Sequence, residues 1–310
     1  MRLIAARRPI KPAGFLSLII YVVVLSGLLL SSGQVWAQDW RPVRGGITFG
    51  ISGMALLEGQ SNSWDFLIVH DNKQKNQGRL AIITIKGKNQ PEYLSLNWPS
   101  NTELPSDLEA LTSVPEKTKS TFIALGSSGK AYHIKVDPAN KNVSLIKEFD
   151  LPNIPPKSNF EAFSLQNIDG KLVAIWADRG DGEQPAIIYW GIFDLAKYQI
   201  NLVGSANLRV PFPSGNVRDI SDIKVDQAGI VYITSATDGG DDGPFQSAMY
   251  VAGYLEYRGN KIAWRQNPQL VPLYRFNYHK IEGMELVPGA NGGVFVGTDD
   301  ENLGSYVYIL

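Results

Sequence analysis

Five copies of one strand–turn–strand pattern, a spare strand at the N-terminal end, and no helical periodicity between the copies predict an all-β chain. The predicted fold is a five-bladed β-propeller, with an N-terminal strand closing the last blade. The copies open at Ile51-Ser52-Gly53-Met54, Leu108-Glu109-Ala110-Leu111, Phe160-Glu161-Ala162-Phe163, Ile220-Ser221-Asp222-Ile223 and Ile281-Glu282-Gly283-Met284. Each is an apolar residue, then Glu or Ser, then a mostly small residue, then an apolar residue again. Their starts fall 52 to 61 residues apart. A single blade cannot bury its own faces and needs its neighbours, so the copies imply one domain over 38–310.

The chain begins with a targeting signature. Residues 1–12 carry Arg2, Arg7, Arg8 and Lys11 and no acid, and Phe15 to Leu30 is apolar but for Ser17, Ser26 and Gly27. Small residues in the stretch from Ser31 to Ala37 then suit cleavage after Ala37. This is the basic, apolar, small-residue order of a secretory signal, which makes 1–37 a signal peptide and the protein secreted or periplasmic. The apolar run is about 16 residues, short of the roughly 20 that span a bilayer; an uncleaved anchor is the alternative reading.

Blade by blade, alternating or continuous β-branched and aromatic runs bounded by Gly, Pro, Asn and Asp mark the strands. The first copy has strands at Ser52–Leu57, Trp64–His70, Arg79–Lys86 and Pro91–Trp98. The second has Glu109–Val114, Thr121–Leu125, Lys130–Val136 and Val143–Phe149, and the third Glu161–Leu165, Leu172–Ala177, Ala186–Asp194 and Tyr198–Val210. The fourth has Asp222–Val225, Ile230–Ser235, Met249–Tyr257 and Ile262–Leu273. The fifth has three only, Glu282–Val287, Val294–Thr298 and Tyr306–Leu310, and the chain then stops. Trp40–Thr48 supplies the missing fourth, which leaves the ring without an open edge there.

Composition narrows the function classes. The 310 residues are 44% hydrophobic and 19% charged, and 30 Gly and 18 Pro spread along the chain suit many turns. No cysteine is present, which excludes disulfides, thiol nucleophiles, Fe–S clusters and Cys-ligated zinc. Three histidines, His70, His133 and His279, are too few for a multi-His metal centre. Signal removal takes four of the 29 basic residues and none of the 30 acids, so the mature chain is acidic by about five charges. Nucleic acid is not an expected partner, because phosphate binding needs a basic surface.

In a propeller the loop before the first strand and the loop between the second and third strands share one rim. The ring position at that rim reads Ser52, Glu109, Glu161, Ser221 and Glu282. The ends of the second strands add Asp71, Asp178 with Asp181, Asp238 with Asp241 and Asp242, and Asp299 with Asp300; the second blade has Ser127-Ser128-Gly129 there. Arg179, Arg218, His279 and Lys280 fall on the same rim. At about 7 Å and an effective dielectric of about 20, each pair of ring carboxylates repels by roughly 2–2.5 kcal/mol. Something must offset this: backbone donors in a purely structural ring, a bound cation, or neighbouring Arg and Lys. Oxygen-only ligation by Glu109, Glu161, Glu282 and Asp299 selects Ca²⁺ or Mg²⁺ over zinc or copper. Asp178 to Glu183 lacks the bidentate Glu of a calcium loop and reads as an acidic turn. Gly126 to Lys130 has the wrong spacing for a phosphate loop and reads as a hairpin turn, and His133 reads as packing.

At these residues the chain resembles the phytase-like and SdiA-regulated group of secreted β-propellers. The phytase-like strands are matched by Gly50-Ile51-Ser52-Gly53-Met54, Glu109-Ala110-Leu111, Glu161-Ala162-Phe163, Glu282-Gly283-Met284 and Asp299-Asp300, over nearly the whole mature chain. The chain departs from that pattern at Asp71-Asn72-Lys73, where the group has an acidic pair plus Arg, and in the two inner strands where Ala replaces Gly. The resemblance implies export and a Ca²⁺-supported site. The expected function is therefore an exported propeller whose acidic rim binds a divalent cation and a phosphorylated or sugar-like ligand. In a phosphoester hydrolase, Arg218 and Lys280, with Arg179, would neutralise phosphate oxygens and His279 would move a proton. The competing class is a non-catalytic binding or scaffold propeller of the cell envelope. Either way the expected partner is a small-molecule or envelope ligand, with no membrane contact after signal cleavage and a monomeric state.

Overall fold

The computed structural model describes residues 39–60, 62–115, 121–137, 139–259, 261–289 and 292–310. The segment read as a signal peptide, 1–37, lies outside the described residues. Among the described residues no helix is long and apolar enough to cross a membrane.

Five four-position blades follow one another in the chain. After β1 (Arg41–Arg44), blade 1 is β2 (Gly53–Gln60), β3 (Ser63–Val69), β4 (Leu80–Lys86) and β5 (Glu92–Leu96). Blade 2 is β6 (Leu108–Ser113), β7 (Thr121–Gly126), β8 (Lys130–Asp137) and β9 (Asn142–Asp150). Blade 3 is β10 (Phe160–Ile168), β11 (Lys171–Asp178), β12 (Ala186–Asp194) and β13 (Gln199–Leu208). Blade 4 is β14 (Val217–Val225), β15 (Ile230–Thr237), β16 (Gln246–Arg258) and β17 (Lys261–Gln266), with β18 (Tyr274–Asn277) also on β16. Blade 5 is β19 (Ile281–Val287), β20 (Gly293–Thr298) and β21 (Ser305–Ile309), and β1 lies outside β21 as its fourth strand. All these pairings are antiparallel.

The closing strand is where the sequence put it but shorter. Arg41 pairs with Val307, Pro42 with Tyr306 and Arg44 with Ser305. Gly45-Gly46 then breaks the strand, and Ile47–Phe49 forms a single 3-10 turn. Trp40 anchors this segment between Phe276 of blade 4 and Tyr308 of blade 5, at ring separations of 5.8 and 5.1 Å. The outer edge of blade 4 differs from the expected strand over 262–273. β16 is long, and β17 covers only its second half, from Gly253 to Arg258; β18 covers the first, from Gln246 to Met249. Pro268 and Pro272 lie between the two, where a residue without an N–H cannot extend the ladder.

The core is a set of five hydrophobic layers, one at each junction between neighbouring blades. The layer that joins blade 5 to blade 1 packs Ile51, Phe66 and Ile83 against Val287, Phe295 and Val307, with the Phe66 and Phe295 rings 4.8 Å apart. Closure is thus a packed interface as well as a strand pair. The Gly of the first repeat has its reason here. A Cβ on Gly53 would stand 2.8 Å from the Leu111 backbone nitrogen of the next blade, because inner strands crowd near the axis.

Candidate functional site: the mouth of the channel

A register break in the innermost strands builds the mouth. In blade 2, Leu108 pairs with Gly126 and Ala110 with Leu125, which leaves Glu109 as the extra residue of a β-bulge. Glu161 is the extra residue between Phe160 and Ala162, and Glu282 between Ile281 and Gly283. A bulge bends the strand and re-aims the unpaired side chain. Here three carboxylates leave the alternating pattern at equivalent points of three blades, and all three are buried. In blade 4 the break is wider, from Arg218 to Asp222. There Ser221 Oγ donates to the Ile281 carbonyl at 2.7 Å, a structural bond between blades. Ser52 Oγ, at the same ring position in blade 1, is buried without a hydrogen-bond partner.

On the side of blades 3 to 5 the carboxylates are neutralised by cations from two loops and from the start of β14. Arg218 Nη1 reaches Glu282 Oε1 at 2.5 Å and Glu161 Oε2 at 3.3 Å, so one guanidinium bridges two blades. Arg179 Nη1 lies 3.3 Å from the other Glu161 oxygen and 3.7 Å from Asp238. Lys280 Nζ lies 3.1 Å from Glu282 and is also bonded to Glu301. Burial alone would lower Lys280, but Glu282, Asp299 and Glu301 outweigh it and hold the ammonium well above its usual range. Burial likewise opposes the Arg218 charge, and Glu161, Glu282 and Asp238 overcome it.

On the side of blades 1 and 2 the balance reverses. Asp71, Asp107 and Glu109 bring carboxylate oxygens within 4.8 Å of one another. Lys73 pairs with Asp107 at 2.9 Å, and Ser127 Oγ donates to Asp107 at 2.6 Å. Among the described residues no donor reaches Glu109. Burial, then the charges of Glu161, Asp71 and Glu282, pushes Glu109 well above the usual carboxylate range. Asp71 is pushed up to about 6 by burial and by Glu282. Asp299, which accepts only the Glu301 backbone N–H at 3.1 Å, is raised well above the usual range by burial and Glu282.

Of the four residues put forward as metal ligands, only Glu109 belongs to this close group; Glu161 and Glu282 face Arg and Lys, and Asp299 stands apart from the three. Among the described residues His279 pairs with Asp300 and with none of the ring carboxylates. Its ring lies 4.1 Å from Trp40 and 5.0 Å from Tyr306, and its Nδ1 is 2.6 Å from Asp300 Oδ2. Asp300 also accepts the Lys280 backbone N–H at 2.6 Å, so His279 and Asp300 together fix the turn that aims Lys280. Of the remaining rim acids, Asp178 accepts the Asn159 N–H, Asp181 closes its own turn with the Gln184 N–H, Asp238 meets Arg179 and Arg218, and Asp242 accepts from Asn302 Nδ2. His133 packs in blade 2 with Nδ1 2.8 Å from Tyr198 Oη. Gly126 to Lys130 is a hairpin turn.

Two functional groups escaped the sequence reading. Asp107 sits in the loop before β6 with a left-handed backbone (φ 61°), which turns its carboxylate toward Asp71 and Glu109. Its signal was the Asp-x-Glu spacing at the start of an inner strand. Lys224, the penultimate residue of β14, reaches across the channel below the ring. Its Nζ donates to the carbonyls of Leu111 (2.6 Å) and Met54 (3.0 Å) and lies 3.5 Å from Glu285. Blades 1, 2, 4 and 5 are thereby tied together at one buried ammonium. A cavity of about 340 Å³, lined by Lys224, Glu285, Gln166, Thr112 and Ser164, opens beneath it at the opposite mouth.

No family model and no curated protein matches the sequence. Among solved structures the chain is similar to an α-L-arabinofuranosidase from Lactobacillus brevis, at 10% identity and a TM-score of 0.52, over 85% of this chain and 91% of that one. It is also similar to a GH43 endo-arabinanase from Bacillus licheniformis, at 13% identity and a TM-score of 0.49, over 87% and 96% of the two chains. A third is an α-L-arabinanase from Penicillium chrysogenum complexed with arabinobiose, at 10% identity and a TM-score of 0.45, over 88% and 97%. What the first of these supports is the architecture, a five-bladed β-propeller.

Proposed function

We propose that this chain is an exported, monomeric, hydrolase-like propeller that holds a divalent cation, Ca²⁺ first, at Asp71, Asp107 and Glu109. The cation supports a phosphorylated or sugar-like ligand at the mouth, in the manner of the phytase-like group. The observation that carries this is Glu109, a buried carboxylate beside two others with no donor among the described residues. A separation of 4.8 Å is about the width across a shell of Ca–O bonds of roughly 2.4 Å, so three oxygens this close fit one hard cation. When bound, Ca²⁺ would supply Lewis-acid charge toward a phosphoryl or glycosyl oxygen. Arg179, the most exposed of the three rim cations, would meet anionic oxygens first, with Arg218 and Lys280 behind it. The raised carboxyl of Asp299 would carry a proton for the leaving oxygen. His279 would act as a positioning residue through Asp300.

A scaffold of the cell envelope is the second reading. Lys224 closing the channel and the exposed Val271, Leu273 and Tyr274 on the edge of blade 4 favour it. A melt series in Ca²⁺, Mg²⁺ and EDTA separates the two. Binding at a native-only site stabilises by about 2.7 kcal/mol at one hundred times Kd, and Asp71→Asn, Asp107→Asn or Glu109→Gln should remove most of that gain. A wild-type melt that ignores metal ends the cation reading, and Ca²⁺-dependent release of nitrophenol from p-nitrophenyl phosphate tests the hydrolase beyond it.

A further inference from the structure

We infer that the rim of blade 4 carries a second, independent site for the neutral polyhydroxyl face of a saccharide, with Tyr278 as its stacking platform. A cavity of about 580 Å³ opens there, in the range of small-ligand sites. Its walls are Asn216, Gln246, Asn277, Tyr278 and Asp238, and buried Phe245 lies beneath. Side-chain amides can donate and accept at once, which suits hydroxyl groups, and the one carboxylate in the walls, Asp238, is answered by Arg218 and Arg179 at 3.5 and 3.7 Å. Tyr278 is 74% exposed, the most exposed large apolar-faced side chain among the described residues. It sits in the left-handed backbone region (φ 71°), which an aromatic residue enters at a cost, and its N–H is tied to the Phe245 carbonyl at 2.7 Å. The fold thus ties the backbone of Tyr278 and leaves its aromatic face out in water beside the amides of Asn216, Gln246 and Asn277. Strain kept at an exposed aromatic with no packing role points to a binding role.

The site borders the mouth through Asp238, which lies 3.5 Å from Arg218 and 3.7 Å from Arg179. A saccharide chain resting on Tyr278 would run toward the rim cations. None of the cavity's walls belongs to the Asp71–Asp107–Glu109 group, so binding here does not require a cation.

The test is calorimetric titration of the exported protein, in EDTA, with maltopentaose, cellopentaose, xylopentaose and chitopentaose. At least one should bind, Tyr278→Ala should weaken it tenfold or more, and Tyr278→Phe, which keeps the ring, should stay within threefold. Asn277→Ala should weaken the same ligand, while Tyr254→Ala, an exposed tyrosine that does not line this cavity, should not. Because Tyr278 is largely in solvent, a matching melt for Tyr278→Ala checks that the fold is intact. Absence of binding by all four saccharides, or equal binding by Tyr278→Ala, overturns the assignment. Loss of binding in EDTA with recovery in Ca²⁺ overturns its independence from the cation.

Discussion

Lys224 offers the sharpest test of the channel's construction. Lys224→Met keeps most of the side-chain volume and removes only the ammonium. The Leu111 and Met54 carbonyls then lose their donor, and Glu285 and Asp222 lose the cation 3.5 and 4.0 Å away. Lys224 is 5% exposed, so water does not take over these roles. Breaking a buried ion pair by removing one partner costs about 3–5 kcal/mol, and the stranded carbonyls are part of that same loss. For a domain of this size about 2 °C of melting temperature is lost per kcal/mol, which gives a drop of roughly 6–10 °C by scanning calorimetry. Glu285→Gln added to Lys224→Met should restore part of it, because one uncompensated charge is gone. A single variant that melts within a degree of the wild type would refute the account of the channel as locked by one ammonium.

Deleting residues 40–48 removes β1 and the Trp40 anchor, and should give an aggregation-prone protein that melts several degrees lower; an unchanged, monomeric melt would count against closure by this segment. Asp222 titrates inside the fold, where burial raises it from 3.8 to about 7 against the pull of Lys224 and of two backbone N–H donors. Its folded value is above its unfolded one, so its protonated form is favoured by folding. Its contribution is therefore present below about pH 4 and is lost as pH rises toward 7, and Lys224→Met should shift that loss to higher pH. Intact-mass measurement of exported protein should show a chain beginning at Gln38, and a retained N-terminus in the membrane fraction would favour an anchor instead.

The blade count was legible because a local pattern is repeated five times, the closing strand because the fifth copy lacks a fourth, and the ring of acids because three copies carry Glu at one position. Apolar, Glu or Ser, mostly small, apolar is the strand start in all five copies, and at Gly53 the small residue answers to crowding near the axis. The bulge was not legible. Whether Glu109 continues the alternation or swings into the mouth depends on pairing with β7, which no single strand encodes. The double edge of blade 4 was hidden for a similar reason, since β17 and β18 share one partner from both of its ends. Asp222 was the visible trace of the channel lock. It stands where the other copies have Gly or Ala, and it accepts the Met284 N–H of the next blade at 2.7 Å, next to Lys224.

The acids and the bases of the mouth have different origins, and this explains its polarity. Glu109, Glu161 and Glu282 come with the repeat, so the ring receives them at equivalent places in three blades. Arg179, Arg218 and Lys280 come from a second-strand loop, a strand start and an inter-blade loop, with no common spacing. Symmetric acids met by asymmetric bases cannot be neutralised evenly. The three cations fall on blades 3 to 5, where Glu161 and Glu282 are paired; among the described residues the one ion pair made by the Asp71, Asp107 and Glu109 group is that of Asp107 with Lys73. Lys73 is 63% exposed, so its attraction to Asp107 is screened by water and does little for the buried Glu109, which burial and its acidic neighbours push toward the protonated form. A fold that only needed to relieve repulsion in its channel could have placed Ser at the second blade's ring position, as the first and fourth blades do. Keeping Glu109 there, with no donor among the described residues, is the feature that the melt series in Ca²⁺, Mg²⁺ and EDTA puts to the test.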